Sequence, residues 1–265
     1  MSLLAVAQFA PGDDGERNLD VMESFATEAV SRGATLVVFP EYSSFFEPEL
    51  GDASVASAEP LDGEFVTRLG GIAASLGIHV VAGVLETTDA PGKVSNTLVA
   101  LDRTGTLVAK YRKLHLYDAF GYLESNRVLA GEIEPPEIFT WEGINVGLQT
   151  CYDIRFPEVT RRLVDAGADL VLVPAEWVRG PLKEHHWRVL VTARAIENTV
   201  YVAAADHPPP VGVGNSMVVD PMGVELVTIG DDDGIAVADV TLDRVASVRQ
   251  KNPALALRRF GVHQI

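Results

Sequence analysis

Ile144-Asn145-Val146-Gly147-Leu148-Gln149-Thr150-Cys151-Tyr152-Asp153-Ile154-Arg155-Phe156-Pro157-Glu158 is the stretch on which the reading of this chain turns. An apolar run of strand length ends at Thr150, and a helix over about 156–166 is entered through Phe156-Pro157-Glu158, so Cys151 stands on a strand-to-helix turn. Such a turn lifts a side chain out at the carboxyl end of a sheet and aims nearby backbone N–H groups at a point where an oxyanion can form. A free cysteine is often simply a buried structural residue. Against that, the segment 151–158 is unusually polar for a core, and thiol chemistry needs charged partners to form the thiolate.

Outward from this turn, strand and helix patterns alternate on both sides. Before it come a strand Leu3–Phe9, a helix over 17–32 with Met22, Phe25, Ala26 and Ala29 at helical spacing, and a strand Thr35–Phe39. A helix over 63–76 closed by Gly77 follows, then strands near 78–84, 95–101 and 106–112, the last two joined by Asp102-Arg103-Thr104-Gly105. A polar stretch, 115–140, leads to the Cys151 strand. After it come a strand Leu170–Val173, a helix over 183–198, and strands near 200–205, 215–220, 224–229 and 235–240, with a turn at Asp220-Pro221-Met222-Gly223. The chain 1–265 thus reads as a single domain whose halves, about 1–140 and 141–250, repeat one order of elements, with a tail at 251–265. Strands this continuously apolar must be covered on both faces. The fold class expected is α/β, a four-layer αββα sandwich of two mixed sheets with helices on the outer faces. A single doubly wound sheet is the second architecture, but its fingerprint is missing: Gly212-Val213-Gly214 lacks the third glycine and does not join a strand to a helix.

The length suffices for a substantial core. With 37 acidic against 21 basic residues the net charge is −16, which repels phosphate backbones and anionic lipid, so neither nucleic acid nor membrane is an expected partner. The start Met1-Ser2-Leu3-Leu4 has no basic leader region, and a cytoplasmic protein is expected. A single cysteine excludes an intramolecular disulfide and any Cys-rich metal site, and no His-Glu-x-x-His pattern occurs, so no metal and no cofactor are expected. In Glu184-His185-His186 the two imidazoles point about 100° apart on a helix and chelate one ion poorly. His186 is read with Val189, Leu190, Ala193 and Ile196 on the face toward the sheet, and Asp231-Asp232-Asp233-Gly234 as a solvated turn.

Two further strand ends stop on charges. Leu36-Val37-Val38-Phe39-Pro40 ends at Glu41, a candidate base whose pKa should rise among Phe39, Tyr42, Phe45 and Phe46. Lys110-Tyr111-Arg112-Lys113 ends another strand in cations within an acidic protein, and Lys113 offers a fixed positive charge. A solvated acid and a decorative basic patch are the alternatives.

Together, Phe39-Pro40-Glu41, the segment Tyr111 to Leu116 and the segment Cys151 to Glu158 resemble the three catalytic signatures of the nitrilase superfamily of carbon–nitrogen hydrolases, in its order. The resemblance runs to about residue 240, with 72 residues from Glu41 to Lys113 and 38 from Lys113 to Cys151, and its spacing and surroundings look like the compact amidase branch. It implies the αββα sandwich, Glu41 as general base, Lys113 as oxyanion stabiliser, Cys151 as nucleophile and Glu124 as a second, substrate-orienting glutamate. Ala193 to Asn198 and Gly214 to Pro221 also match, with Asn215 where histidine is common. The reaction implied is hydrolysis of a small linear amide through a cysteine thioester, giving a carboxylate and ammonia. Nitrile or N-carbamoyl hydrolysis, acyl transfer to an amine, and a silent metabolite-binding scaffold stay open beside it.

In the family the segment after the strand at 170–173 borders the pocket, which makes Tyr152, Glu176, Trp177 and Arg179 the candidate substrate-binding residues. Glu176 departs from the small residue common there and suits a smaller pocket, a cationic substrate or a side chain that simply points away, whereas Arg179 and Lys183 suit a substrate carboxylate. Family members associate through helices flanking the nucleophile and through the tail, here Pro253–Ile265, so a homodimer or higher homo-oligomer is expected.

Overall fold

A computed structural model describes residues 2–264, so Met1 and the last tail residue, Ile265, lie outside the described residues. The first half runs β1 (Ser2–Gln8), α1 (Gly15–Ser31), β2 (Leu36–Val38), α2 (Asp52–Ala56), α3 (Glu64–Leu76), β3 (His79–Thr87), β4 (Val94–Leu101) and β5 (Leu107–Arg112). A two-stranded hairpin, β6 (Asp118–Ala119) and β7 (Tyr122–Leu123), precedes β8 (Ile138–Trp141), β9 (Ile144–Leu148), α4 (Pro157–Asp165), β10 (Leu170–Pro174) and α5 (Lys183–Asn198). The chain ends with β11 (Tyr201–Ala205), β12 (Met217–Val219), β13 (Glu225–Thr228), β14 (Gly234–Val240) and α6 (Leu242–Lys251).

Two six-stranded mixed sheets form, ordered β14-β1-β2-β3-β4-β5 and β13-β12-β11-β10-β9-β8. Strand alternation builds the layers, because successive side chains point to opposite faces. In β1, Leu4 and Val6 enter the core between the sheets while Ala5 and Ala7 face α1 and α3. In β10, Leu170 and Leu172 point inward while Val171 and Val173 meet the α4 and α5 side. Both faces are apolar, so each strand reads as a continuous hydrophobic run, and each fully buried Val or Leu contributes ~1.5–3 kcal/mol. The four-layer sandwich expected from the sequence is the observed architecture.

Element ends follow local chemistry. The Asp14 carboxylate caps α1 by accepting from the Glu16 and Arg17 N–H groups at 3.1 and 3.2 Å. Gly77 at φ +65° ends α3 in the left-handed region. The strand at 235–240, read with the second half, instead pairs antiparallel with β1 across Ser2–Gln8. The stretch read as simply polar, 115–140, contains the β6–β7 hairpin and β8, and α6 occupies a segment given no element from the sequence. No helix is long and apolar enough to cross a membrane among the described residues.

Candidate active site

The carboxyl ends of β2, β9, β10 and β11 open at one end of the sandwich into a cavity of about 610 Å³. Glu41 follows β2 and is 1% exposed; Lys113 follows β5 and is 2% exposed; Cys151 follows β9. Glu41 sits where it does because β3 carries Gly83 beneath it: a Cβ there would lie 2.6 Å from Glu41 Cα and 2.7 Å from the Tyr42 nitrogen. Cys151 has φ +44°, a conformation costing a non-glycine residue ~1–3 kcal/mol and found where structure over-determines it.

Lys113 Nζ donates to Glu41 Oε1 at 2.9 Å and to Glu124 Oε2 at 2.9 Å. Asn96 Nδ2 donates to Glu41 Oε1 at 2.6 Å and to Glu124 Oε1 at 3.2 Å, and the Tyr42 hydroxyl to Glu124 Oε1 at 2.7 Å. The second oxygen of Glu41 accepts the Glu176 N–H at 2.7 Å. The Cys151 thiol donates to the Glu176 carbonyl at 3.5 Å, so one residue's backbone touches both the acid and the sulfur.

Burial pushes Glu41 above its ordinary value; the Lys113 ammonium opposes this and the Glu124 charge adds to it. Burial acts the same way on Glu124, but there Lys113 and the Tyr117 N–H outweigh it and the carboxyl is lowered. Burial disfavours the Lys113 ammonium, yet Glu124 and Glu41 hold its pKa well above the usual lysine value. Two carboxyls sharing one ammonium are thereby separated: Glu124 is the standing counter-ion, and Glu41 is the one poised to take up and release a proton. Burial, then the Glu41 charge, raises the Cys151 thiol well above its ordinary value, so the resting sulfur keeps its proton.

All of the candidate site residues named from the sequence line this cavity: Glu41, Lys113, Glu124 and Cys151 at its base, with Tyr152, Glu176, Trp177 and Arg179 on its walls. Arg179 is exposed at the rim, and Trp177 is buried with its indole N–H donating to the Lys183 carbonyl at 2.8 Å. The Glu176 carboxyl neither shrinks away nor finds an ion-pair partner among the described residues; burial raises its pKa well above the ordinary value. Lys183 is 5% exposed, donates to the Tyr117 hydroxyl at 3.0 Å, and lies 4.6–5.0 Å from the ring centres of Phe120, Tyr117 and Trp177.

His186 does not face the sheet. The buried face of α5 is Lys183, Trp187, Val191, Arg194, Ala195 and Asn198, which leaves Val189 and Ile196 exposed and His186 on the flank with its Nδ1 3.4 Å from the Arg155 guanidinium. The face left outside is the more apolar one, and periodicity alone points to it; polar Lys183, Arg194 and Asn198 are buried through specific hydrogen bonds instead.

Asn96, Asp206 and His207 were not read from the sequence. Asp206 accepts the Trp177 N–H at 2.6 Å and the Val213 N–H at 3.1 Å, shaping the wall after β10. His207 Nε2 meets the Glu41 carbonyl at 2.7 Å; burial lowers its pKa to about 4, so it is neutral and its Nε2 carries the donated proton. A polar residue interrupting the buried β4 run and a charge closing the apolar run of β11 were the available signals.

A family model described as carbon-nitrogen hydrolase matches residues 3–250. A deaminated glutathione amidase of Escherichia coli O157:H7 is 41% identical across 99% of each chain. The human omega-amidase NIT2 is 32% identical, with 91% of this chain and 89% of that one covered. Among solved structures, an amidase from Nesterenkonia sp. AN1, with acrylamide added at its active-site cysteine, aligns with TM-score 0.79 and 30% identity over 97% of this chain and 100% of that one. With the fold, the strand-end acid, ammonium and thiol, and these relatives in agreement, the chain belongs to the carbon–nitrogen hydrolase family and is a cysteine amidase of the nitrilase superfamily.

Proposed function

We propose that Cys151 is the nucleophile, Glu41 the general base and acid, Lys113 the oxyanion partner and Glu124 the group that orients Lys113. The observation that carries this is the Lys113 ammonium held between two buried carboxyls beside the chain's single cysteine. As substrate enters, Glu41 takes the thiol proton and the sulfur attacks the amide carbon. The negative oxygen is held by Lys113 and the Tyr152 N–H. Glu41 then gives its proton to the leaving nitrogen, ammonia or an amine departs, and water activated by Glu41 cleaves the thioester, returning the proton to sulfur and releasing a carboxylate.

The substrate proposed is a small linear amide whose acyl tail ends in a carboxylate. Burial raises the Glu176 pKa well above the ordinary value and so disfavours negative charge at that wall, whereas Lys183, among three aromatic rings, and Arg179 at the rim bring positive charge. Tyr152 and Trp177 flank the tail. Deaminated glutathione and omega-amides, named by the relatives, fit this description. The homodimer forms across α5, where Val189 and Ile196 are exposed next to Met222 and Val224, and is completed by the tail carrying exposed Leu257 and Phe260. A free thiol at the reaction centre suits the reducing cytoplasm.

The test is a panel of amides with acidic, neutral and cationic tails, deaminated glutathione, nitriles and N-carbamoyl compounds, scored by released ammonia or amine. Preference for acidic-tailed amides, with an acyl mass on Cys151 and no turnover by Cys151→Ala, is expected. Equal rates across tail charges would remove the charge-recognition part, and turnover by Cys151→Ala would remove the mechanism.

A further inference from the structure

Asp153 stands two residues beyond Cys151, is fully buried, and receives four hydrogen bonds. Its Oδ2 accepts the Tyr111 hydroxyl at 2.8 Å and the Thr150 N–H at 3.2 Å; its Oδ1 accepts the His115 N–H at 3.0 Å and meets His115 Nδ1 at 2.8 Å. Tyr111 and His115 flank Lys113 by two residues on either side, and Thr150 is the residue before Cys151. The Asp153 N–H returns a bond to the Thr150 carbonyl at 2.9 Å, closing a ring around the left-handed cysteine. A second contact fixes the far end of the same turn: the His115 ring stacks on Phe156 at 3.7 Å with 8° between planes.

Lys113 and Cys151 come from different sheets. Lys113 is anchored to Glu41 and Glu124, while Cys151 is anchored to Glu176 beyond β10. The ammonium is useful to the sulfur only if these two anchorages keep a fixed offset, because an error of about 1 Å in placement costs on the order of a hundredfold in rate. We propose that Asp153 is the positioning residue that sets this offset, one carboxylate clamping the segment on both sides of Lys113 to both sides of the Cys151 turn. This rests on the roles assigned above to Lys113 and Cys151, but not on which amide is the natural substrate.

Asp153→Asn preserves the volume while turning an N–H₂ group toward hydrogen-bond donors. In the full-length enzyme it should lower kcat by about tenfold or more with KM within about twofold. The midpoint pH of Cys151 alkylation by iodoacetamide should rise as the thiolate loses its cation. A folded Asp153→Asn variant with unchanged kcat and unchanged alkylation midpoint would overturn the proposal. If that variant does not fold, Tyr111→Phe, which removes one of the four bonds, carries the same readouts with smaller shifts of the same sign, and their absence is equally fatal. Lys113→Met separates the two levels: if it leaves the alkylation midpoint unmoved, the role of Lys113 fails; if it moves the midpoint and the Asp153 variant does not, only the positioning role fails.

Discussion

Glu41 is held by three donors, Lys113, Asn96 and the Glu176 N–H, and yet burial keeps its pKa raised. Glu41→Gln keeps those contacts in part but cannot carry a proton, so kcat for amide hydrolysis should fall by ~10²–10⁴-fold while the fold is retained by circular dichroism. Glu176 gives a prediction about stability. Its carboxyl is raised in the fold, so the unfolded chain ionises first as pH rises, and the native state is progressively penalised above the ordinary carboxylate value of 4.5 until the folded group also ionises. Glu176→Gln should therefore melt at the same temperature as the parent near pH 4 and at a higher one near pH 8, the gap widening by at most ~1.4 kcal/mol per pH unit. A constant gap across that range would show that the carboxyl is not held neutral. At this scale the sequence was most informative: an acid, an ammonium and a thiol each interrupting the end of an apolar run have few structural explanations. It was least informative for groups that act through a backbone atom, such as His207 on the Glu41 carbonyl.

Elements place these residues through contacts that leave little trace in composition. The turn after β2 lies so close to β3 that only glycine fits at 83. Gly83→Ala would force the Glu41 turn outward, with an expected loss of ~1–3 kcal/mol in denaturant unfolding and a fall in kcat larger than any rise in KM. Unchanged stability would mean that the turn has slack. The central strands were readable because both faces of each are apolar, whereas α6 was not, since only Val245 and Val248 of its ten residues are buried. The Thr241 hydroxyl accepting the Arg244 N–H at 3.3 Å was the signal for its start. The segment 115–140 hid the β6–β7 hairpin because strands of two residues carry no periodicity. On α5 periodicity was present twice, and the more apolar stripe is the one left outside the fold of a single chain.

That outer stripe matters for the whole molecule. Val189 and Ile196 are 49% and 46% exposed, and Gly223 in the β12–β13 turn packs so tightly on Ile196 that the stripe continues to Met222 and Val224. Ile196→Asp should convert the proposed dimer into a 28.5 kDa monomer in light scattering after size exclusion; a dimer mass in the variant would move the interface elsewhere, and a monomer mass in the parent would remove the dimer. The −16 charge of each chain opposes such association at low salt, so the proposed dimer should tighten as ionic strength rises. The pairing of β14 with β1, finally, joins segments more than 220 residues apart in sequence: Ser2 sits opposite Val240 and Gln8 opposite Gly234. During synthesis β1 waits with one edge open until residues 234–240 have emerged. A nascent chain stalled before residue 240 therefore offers chaperones an unpaired β edge, and native pairing along β1 arrives only with β14.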